Sequence, residues 1–388
     1  MPLSLYLDTD RWRAHQRAVL AEFPTLVPVA KGNGYGLGNR LLAEEAARLG
    51  VPLLAVGTPA EAAEAVCWYD GEVLVLTPYR PGEEPVPLLR QVIRTVAGLE
   101  AVRALAGGKV VVECMTSMSR HGIAGTDLAQ LAGLAASVCL EGFALHLPLD
   151  RPDRSDPVEE VSGWVRAVAA AGLPTHTFHL SHVSAAELAR LAERHPDTRF
   201  HCRIGTRLWL GDEGGMAARA TVLDTVPVAK GARYGYRQHK APADGHLLVV
   251  SGGTAHGIGL EAPRYVRGLM PRIKGLVRAG LATVNRTLSP YHWQGRQLWF
   301  AEPPHMQVSI VFLPAARVTG TARPPAIGDE LPLRIRSTTT HFDRVARIGA
   351  GGPVRGRVPY SAPERIEIHS TPQWSEIRNF PVGQPGKN

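Results

Sequence analysis

Short apolar runs alternate with amphipathic stretches through the first two hundred residues. Eight strand-like runs succeed one another: Leu26–Ala30, Leu53–Gly57, Val73–Thr77, Val92–Val96, Val110–Cys114, Cys139–Leu145, Thr175–Leu180 and Thr198–Ile204. Most gaps between them carry an Ala/Leu/Glu/Arg-rich helical pattern, as in Asn39–Leu49, Pro59–Val66, Asp127–Ser137, Val158–Ala171 and Ser184–Arg194. An alternating run at Leu3, Leu5 and Leu7 comes first, and Asp8 or Thr9 is placed to cap a helix reaching about Glu22. Repeated β-then-α units predict an α/β fold, a (β/α)8 TIM barrel. A doubly wound open sheet is the alternative, but no G-x-G-x-x-G follows any of the runs. From about Thr221 the pattern turns β-rich, with Leu247–Val250, Met306–Leu313 and Leu331–Ile335 separated by Gly and Pro. The expected division is a barrel over 8–224 and a mainly β C-terminal domain over 225–388, with residues 1–7 added to it. The Pro-, Gly-, Arg- and Ser-rich tail after Pro353 predicts partial mobility.

A barrel makes a statement about place, because residues just past each strand's C-terminal end line one mouth. Here those are Lys31, the Thr77–Arg80 turn, Glu113–Arg120, His146, Ser181–Ser184 and Arg203–Gly205–Thr206. Lys31 ends the apolar run Val27-Pro28-Val29-Ala30 and precedes four glycines within seven residues. A lysine so placed is either a solvated charge at a βα turn or an amine shielded enough to lose its proton and attack a carbonyl. The chain holds only six lysines and otherwise uses arginine, which favours the reactive reading.

At 388 residues with 45% hydrophobic composition, the chain suits two domains with sizeable cores. Cys67, Cys114, Cys139 and Cys202 lie on apolar segments without C-x-x-C spacing, so they predict reduced core residues in a cytoplasmic protein and no zinc site. No apolar run is long enough to span a bilayer, and no charged-then-apolar leader starts at Met1, so no membrane role is expected. A net charge of +8 permits an acidic partner. No basic run interleaved with aromatics occurs in the first two hundred residues, which argues against nucleic acid.

The stretch Lys31-Gly32-Asn33-Gly34-Tyr35-Gly36-Leu37-Gly38 resembles the cofactor-lysine motif of the alanine racemase family, roughly V-V-K-A-N-A-Y-G-H-G. The match lies at Lys31, Asn33, Tyr35 and the outer glycines, and it departs at Gly32, Gly34 and Leu37. Met118-Ser119-Arg120-His121-Gly122 is similar to the M-x-R-x-G element, whose arginine faces the substrate carboxylate and the cofactor's phenolic oxygen. Five residues earlier the family often has a lysine, carbamylated in some members; Glu113 stands there and supplies negative charge directly. Phe143-Ala144-Leu145-His146 resembles the segment whose histidine lies beside the pyridine ring, and Ser184 resembles a serine at a helix end that meets the phosphate. Ser184 would equally be an ordinary N-cap. Arg203-Ile204-Gly205-Thr206 is similar to the R-x-G segment, in which arginine bonds the pyridine nitrogen and the following N–H groups hold the phosphate. An arginine there cannot give up a proton, so the ring stays a weaker electron sink. Gly231–Tyr236 and Gly328–Leu331 resemble two further family turns, so the likeness spans roughly residues 3 to 348.

The resemblance implies a homodimer that binds pyridoxal 5'-phosphate (PLP) and acts on an amino acid. The family's second base is a tyrosine in a G-Y-A-D-G loop of the partner subunit. The matching Gly253-Thr254-Ala255-His256-Gly257 puts Thr254 there, and threonine cannot serve as a base. His256, two residues on, is the candidate replacement. Met306 matches the residue whose backbone approaches the substrate carboxylate, and a late phosphate-contacting tyrosine has no counterpart near Ile348–Gly352. Between Pro263 and Phe300 an insertion carries seven positive residues and no Asp or Glu, which reads as a solvated basic face or as a site for extra substrate charge. The expectations are therefore a racemase or epimerase with Lys31 and His256 as bases, a one-base lyase or decarboxylase of the same fold, or a cofactor-holding protein without turnover.

Overall fold

The computed structural model describes residues 2–83, 91–151, 154–260 and 287–349. Eight parallel strands close into a barrel: β2 (Leu26–Ala30), β3 (Leu53–Val56), β4 (Glu72–Val75), β5 (Val92–Val96), β6 (Lys109–Glu113), β7 (Cys139–His146), β8 (Thr177–Ser181) and β9 (Arg199–Ile204). Closure is made by β9 against β2, with Val27 opposite Arg203. Apolar residues dominate β2, β3, β4 and β6 because both faces are covered. Val27, Val29, Leu53, Ala55, Leu74, Ile93, Val111 and Ala144 form one buried cluster drawn from six strands, and they fill the barrel's centre. Their neighbours along the strands, among them Val110, Val112, Phe143, Leu145, Phe178 and Leu180, join a second cluster with the helices outside.

The helices are α1 (Thr9–Glu22), α2 (Asn39–Leu49), α3 (Pro59–Ala65), α4 (Leu99–Ala104), α5 (Leu128–Leu134), α6 (Pro157–Ala170), α7 (Ala185–Arg194) and α8 (Thr206–Leu210). Their starts follow the capping residues. Thr58 and Ser184 each complete a capping box, with Glu61 and Glu187 respectively, and the Asp156 side chain accepts from Val158 N–H.

The second unit is an eight-stranded sheet. Its strands are β1 (Leu3–Asp8), β10 (Met216–Val228), β13 (Gly245–Ser251), β14 (Leu288–Trp293), β15 (Arg296–Phe300), β16 (Val308–Pro314), β17 (Glu330–Leu333) and β18 (Arg344–Ile348), in the order β13-β16-β15-β14-β17-β10-β1-β18. A small ribbon of β11 (Arg233–Tyr234) and β12 (His239–Lys240) stands apart from this sheet. The N-terminal strand runs antiparallel to β10 and parallel to β18.

The barrel followed by a mainly β domain thus stands as expected. The compact units divide between Gly215 and Met216, and residues 336–341 belong with the barrel. The reason is β10, whose thirteen residues carry Arg, Thr and Asp among their apolar positions and hide its strand character. Asn33 accounts for the return: its amide donates to Ser337 O at 2.9 Å and Thr340 O at 2.8 Å. The run from Leu288 to Phe300, part of the basic insertion, is a β-hairpin with Arg296 opposite Trp293. The other six positive residues of that insertion lie outside the described residues, as does the tail after Pro353. One expectation is corrected. Cys114 and Cys202 are buried, but Cys67 and Cys139 are exposed, because Cys67 follows α3 and Cys139 opens a strand at the barrel rim. Among the described residues no helix is long and apolar enough to cross a membrane, and no His/Cys/Asp/Glu group could hold a metal.

Candidate active site

Period two decides what faces the barrel mouth. Val27 and Val29 point to the centre, so Lys31 follows on the same side; the same parity carries Val111 to Glu113 and Ala144 to His146. Four chemically able side chains, with Arg203 of β9, are thereby delivered to the end of one barrel.

The Lys31 amine, on an exposed residue, has no hydrogen-bond or ion-pair partner among the described residues. Its pKa is lowered from the ordinary lysine value, chiefly by loss of water, then by the positive charges of Arg120 and Arg203. Glu61 opposes that shift weakly. Its carboxylate also accepts from Gly32 N–H at 2.8 Å, Gly57 N–H at 2.6 Å and Thr58 N–H at 3.0 Å, which fixes the turn carrying the lysine. Glu61 was not singled out from the sequence; Thr58-Pro59-Ala60-Glu61, a capping box next to a strand end, was its available signal.

Tyr35 is buried with its backbone in the left-handed region at φ 58°, and burial pushes its hydroxyl up to about 12. A Cβ added at Gly205 would sit 2.0 Å from the Tyr35 hydroxyl oxygen. Gly205 is therefore needed for the close approach of this phenol, besides any ligand. Thr206 opens α8 directly after it.

Arg203 is almost wholly buried. Its Nη2 donates to Leu145 O at 3.2 Å, and its Nη1 lies 3.6 Å from Glu113 Oε2. Its Nε has no hydrogen-bond partner among the described residues. A buried donor left open is costly unless a ligand completes it. His146 is neutral: loss of water, then Arg203 and Arg120, lower it to about 3. Edge-on to it at 4.7 Å stands His182, which has φ 64° and whose Nδ1–H donates to Leu147 O at 2.7 Å. His182 is a further mouth residue whose signal was its position after β8.

Arg120 lies on a loop closed by Met115 N–H to Ile123 O and Ile123 N–H to Glu113 O. Glu160 of α6 fastens that loop, accepting from Ser117 N–H at 2.6 Å and Ser117 Oγ at 2.8 Å while paired with Arg151. Gly122, at φ 145°, has no room for a side chain against the Cys114 backbone. Ser184 Oγ accepts from Glu187 N–H, and Ser184 N–H is bound by Glu187, so the hydroxyl proton is what it retains for a ligand.

His256 and Met306 belong to the β unit. Met306 is well exposed. His256 is buried, its Nδ1 accepts from Gly253 N–H at 3.2 Å, and its Nε2 meets Asp343 Oδ1 at 3.1 Å. Each ring nitrogen thus already has a partner within its own unit.

The barrel mouth fits pyridoxal phosphate by its donors. The open Nε–H of Arg203 would be completed by a pyridine-type acceptor, the Lys31 amine would capture an aldehyde, and Tyr35, Ser184 and Thr206 would offer hydroxyls to a phosphate. Comparison with known proteins agrees with this chemistry. Residues 7–212 match the family model described as alanine racemase, N-terminal domain. The chain is 25% identical over 310 residues to an alanine racemase of Desulfovibrio desulfuricans, covering 73% of this chain and 81% of that one. Similar solved structures include alanine racemase of Clostridium difficile 630, with 16% identity, TM-score 0.67 and coverage of 91% and 97% of the two chains. Another is alanine racemase from Bartonella henselae with covalently bound pyridoxal phosphate, with 18% identity, TM-score 0.66 and coverage of 90% and 99%. Those structures establish the likeness of fold, and the family model, spanning more than half of the sequence, establishes kinship: this chain belongs to the alanine racemase family.

Proposed function

We propose that the protein is a PLP-dependent enzyme that removes and returns the α-proton of an amino acid, a racemase or epimerase. The observation that carries this reading is the unpaired, partly desolvated amine of Lys31, flanked at one barrel mouth by Arg120 and Arg203. Pyridoxal phosphate, when bound, supplies the electron-withdrawing ring that makes the α-proton acidic. Lys31 holds and releases that proton on one face. Arg120 offers its fork to the α-carboxylate and fixes which bonds face the lysine. Arg203 presents Nε–H to the ring nitrogen and, being a guanidinium, leaves that nitrogen unprotonated. His146, kept neutral, adds no charge to the ring's surroundings. Tyr35, Ser184, Gly205 and Thr206 form the phosphate cradle on this reading. The Met306 backbone approaches the substrate carboxylate, and two copies of the chain share their sites in a cytoplasmic homodimer.

The opposite face needs a second proton-transfer group. His256 is the candidate, and its service requires release of Asp343 from Nε2. The intact His256–Asp343 bond favours a second reading, a one-base lyase or decarboxylase of the same fold.

The test is a screen of single-enantiomer amino acids in deuterated water with the cofactor-loaded protein. The racemase reading expects deuterium at the α-carbon together with growth of the mirror-image product. Deuterium incorporation with full retention of configuration would move the assignment to the one-base enzyme. Absence of exchange with every amino acid, in protein that holds its cofactor, would remove turnover from the account.

A further inference from the structure

Glu113 ends β6 with its carboxylate buried on the inward side of the barrel. Oε2 lies 3.6 Å from Arg203 Nη1, and Oε1 lies 3.8 Å from Arg120 Nη2. Neither contact is a short bidentate pair, so one carboxylate is divided between two cations. The cations are unlike. The Arg203 side chain is 4% exposed and is also held by Leu145 O, whereas that of Arg120 is 45% exposed. The one other hydrogen-bond partner of the Arg120 guanidinium among the described residues is His121 Nε2, at 3.4 Å. Arg120 can turn toward an arriving anion, while Arg203 cannot leave.

Burial pushes Glu113 up from the usual carboxylate range, and the two guanidinium groups oppose that shift, Arg203 more than Arg120. The two guanidinium groups thus favour the anionic form of Glu113 against its burial. If a better partner engages Arg120, the carboxylate has one remaining cation to turn to, in a place too dry for water to substitute.

We propose that Glu113 is a shared counter-ion, a positioning residue through which a carboxylate arriving at Arg120 is registered at Arg203. The incoming carboxylate takes the fork of Arg120, and Glu113 closes onto Arg203. Arg203 is the residue with the open Nε–H, so occupation of the substrate end steadies the donor at the ring end. This inference rests on the reading of Arg120 as the carboxylate receptor.

Cofactor-free full-length protein, labelled with nitrogen-15 at arginine, tests it with acetate as the probe. Nε resonances are assigned through Arg120→Lys and Arg203→Lys. In the wild type both resonances should move, with midpoints agreeing within about twofold, as linkage through one carboxylate requires. In Glu113→Gln the Arg120 resonance should still respond, at several-fold lower acetate because its rival carboxylate is gone, and Arg203 should stay put. An Arg203 resonance that ignores acetate in the wild type, or moves equally in Glu113→Gln, overturns the coupling while leaving Arg120 as receptor. A silent Arg120 overturns the receptor reading and the coupling with it. Should Glu113→Gln not fold, Glu113→Asp replaces it: the shorter arm cannot span both cations, so persistence of joint movement in that variant also overturns the proposal.

Discussion

The barrel mouth and the Gly252–Gly257 loop of the β unit both hold polar groups of catalytic type, and they differ in what those groups lack. At the mouth, the exposed Lys31 amine has no partner among the described residues, and Arg203 Nε is buried without an acceptor. In the loop, His256 is engaged at both ring nitrogens, and Asp343 is further occupied by Leu3 N–H at 2.8 Å. A protein normally satisfies its buried polar groups; the open Nε–H of Arg203, a state shared by Arg94 and Arg344, is informative because it lies at the barrel mouth. The first region is incomplete without a ligand, and the second is complete as it stands.

The largest expected effect follows directly. Lys31→Ala removes the proposed base and the amine that captures the cofactor aldehyde. A base contributes about 10²- to 10⁴-fold in rate, so α-proton exchange should fall at least that far. Borohydride treatment of the cofactor-loaded wild type should place the label on Lys31 in peptide mass mapping. A label on Lys109 instead would show that the mouth is not where the carbonyl is taken.

His256→Ala sharpens the other half of the contrast. It strips a hydrogen-bond partner from Gly253 N–H and Asp343, and such losses cost about 1–3 kcal/mol. Chemical denaturation should show that loss, while Lys31-dependent exchange persists in the folded variant. Loss of exchange on the opposite face as well would make His256 the second base that the racemase reading requires, and racemisation intact in both directions would end the two-base assignment. Gly205→Ala should cost about 1–3 kcal/mol by overpacking, since the new methyl meets the Tyr35 hydroxyl. Tyr35→Phe in the same chain should return part of it. No recovery would mean that the crowding arises elsewhere.

How much of this could be read from the residues differs between the two regions for a physical reason. The barrel strands are buried on both faces, so Leu26–Ala30 appears as an unbroken apolar run, and Val92–Val96 as one interrupted only by Arg94 and Thr95, both with the bounds found in the fold. Strand ends then place Lys31, Glu113, His146 and Arg203 at one mouth without any contact being known. Strands of the β unit alternate and bend: β10 mixes Arg and Asp with Val, and β14 contains Pro290, so neither stood out. Hydrogen-bond partners were illegible throughout, because they depend on distant segments. Nothing near His256 in sequence announces Asp343, and nothing near Asn33 announces Ser337. Glu61 and Glu160 escaped notice for the same reason, each lying on a helix while serving a loop.

The smallest expected effect concerns the charge that surrounds Lys31. Its pKa is depressed first by desolvation and then by Arg120 and Arg203, so the neutral amine is present at lower pH than for a solvated lysine. Replacing Arg120 by Gln removes one unfavourable charge and leaves the desolvation in place. The protonated form is then less disfavoured, the Lys31 pKa rises, and the fraction of free amine at a given pH falls. Reductive methylation of cofactor-free protein by formaldehyde, followed at Lys31 by mass spectrometry, should therefore shift to higher pH in Arg120→Gln. Because Arg120 is nearly half exposed and water weakens its field, the displacement should be small, and it should shrink as salt is added. Arg120→Lys keeps the charge and should leave the profile near that of the wild type. A shift of equal size in both variants would assign the effect to lost packing around the mouth and not to charge. A profile unmoved in either would leave Arg203 and desolvation as the whole cause of the reactive amine.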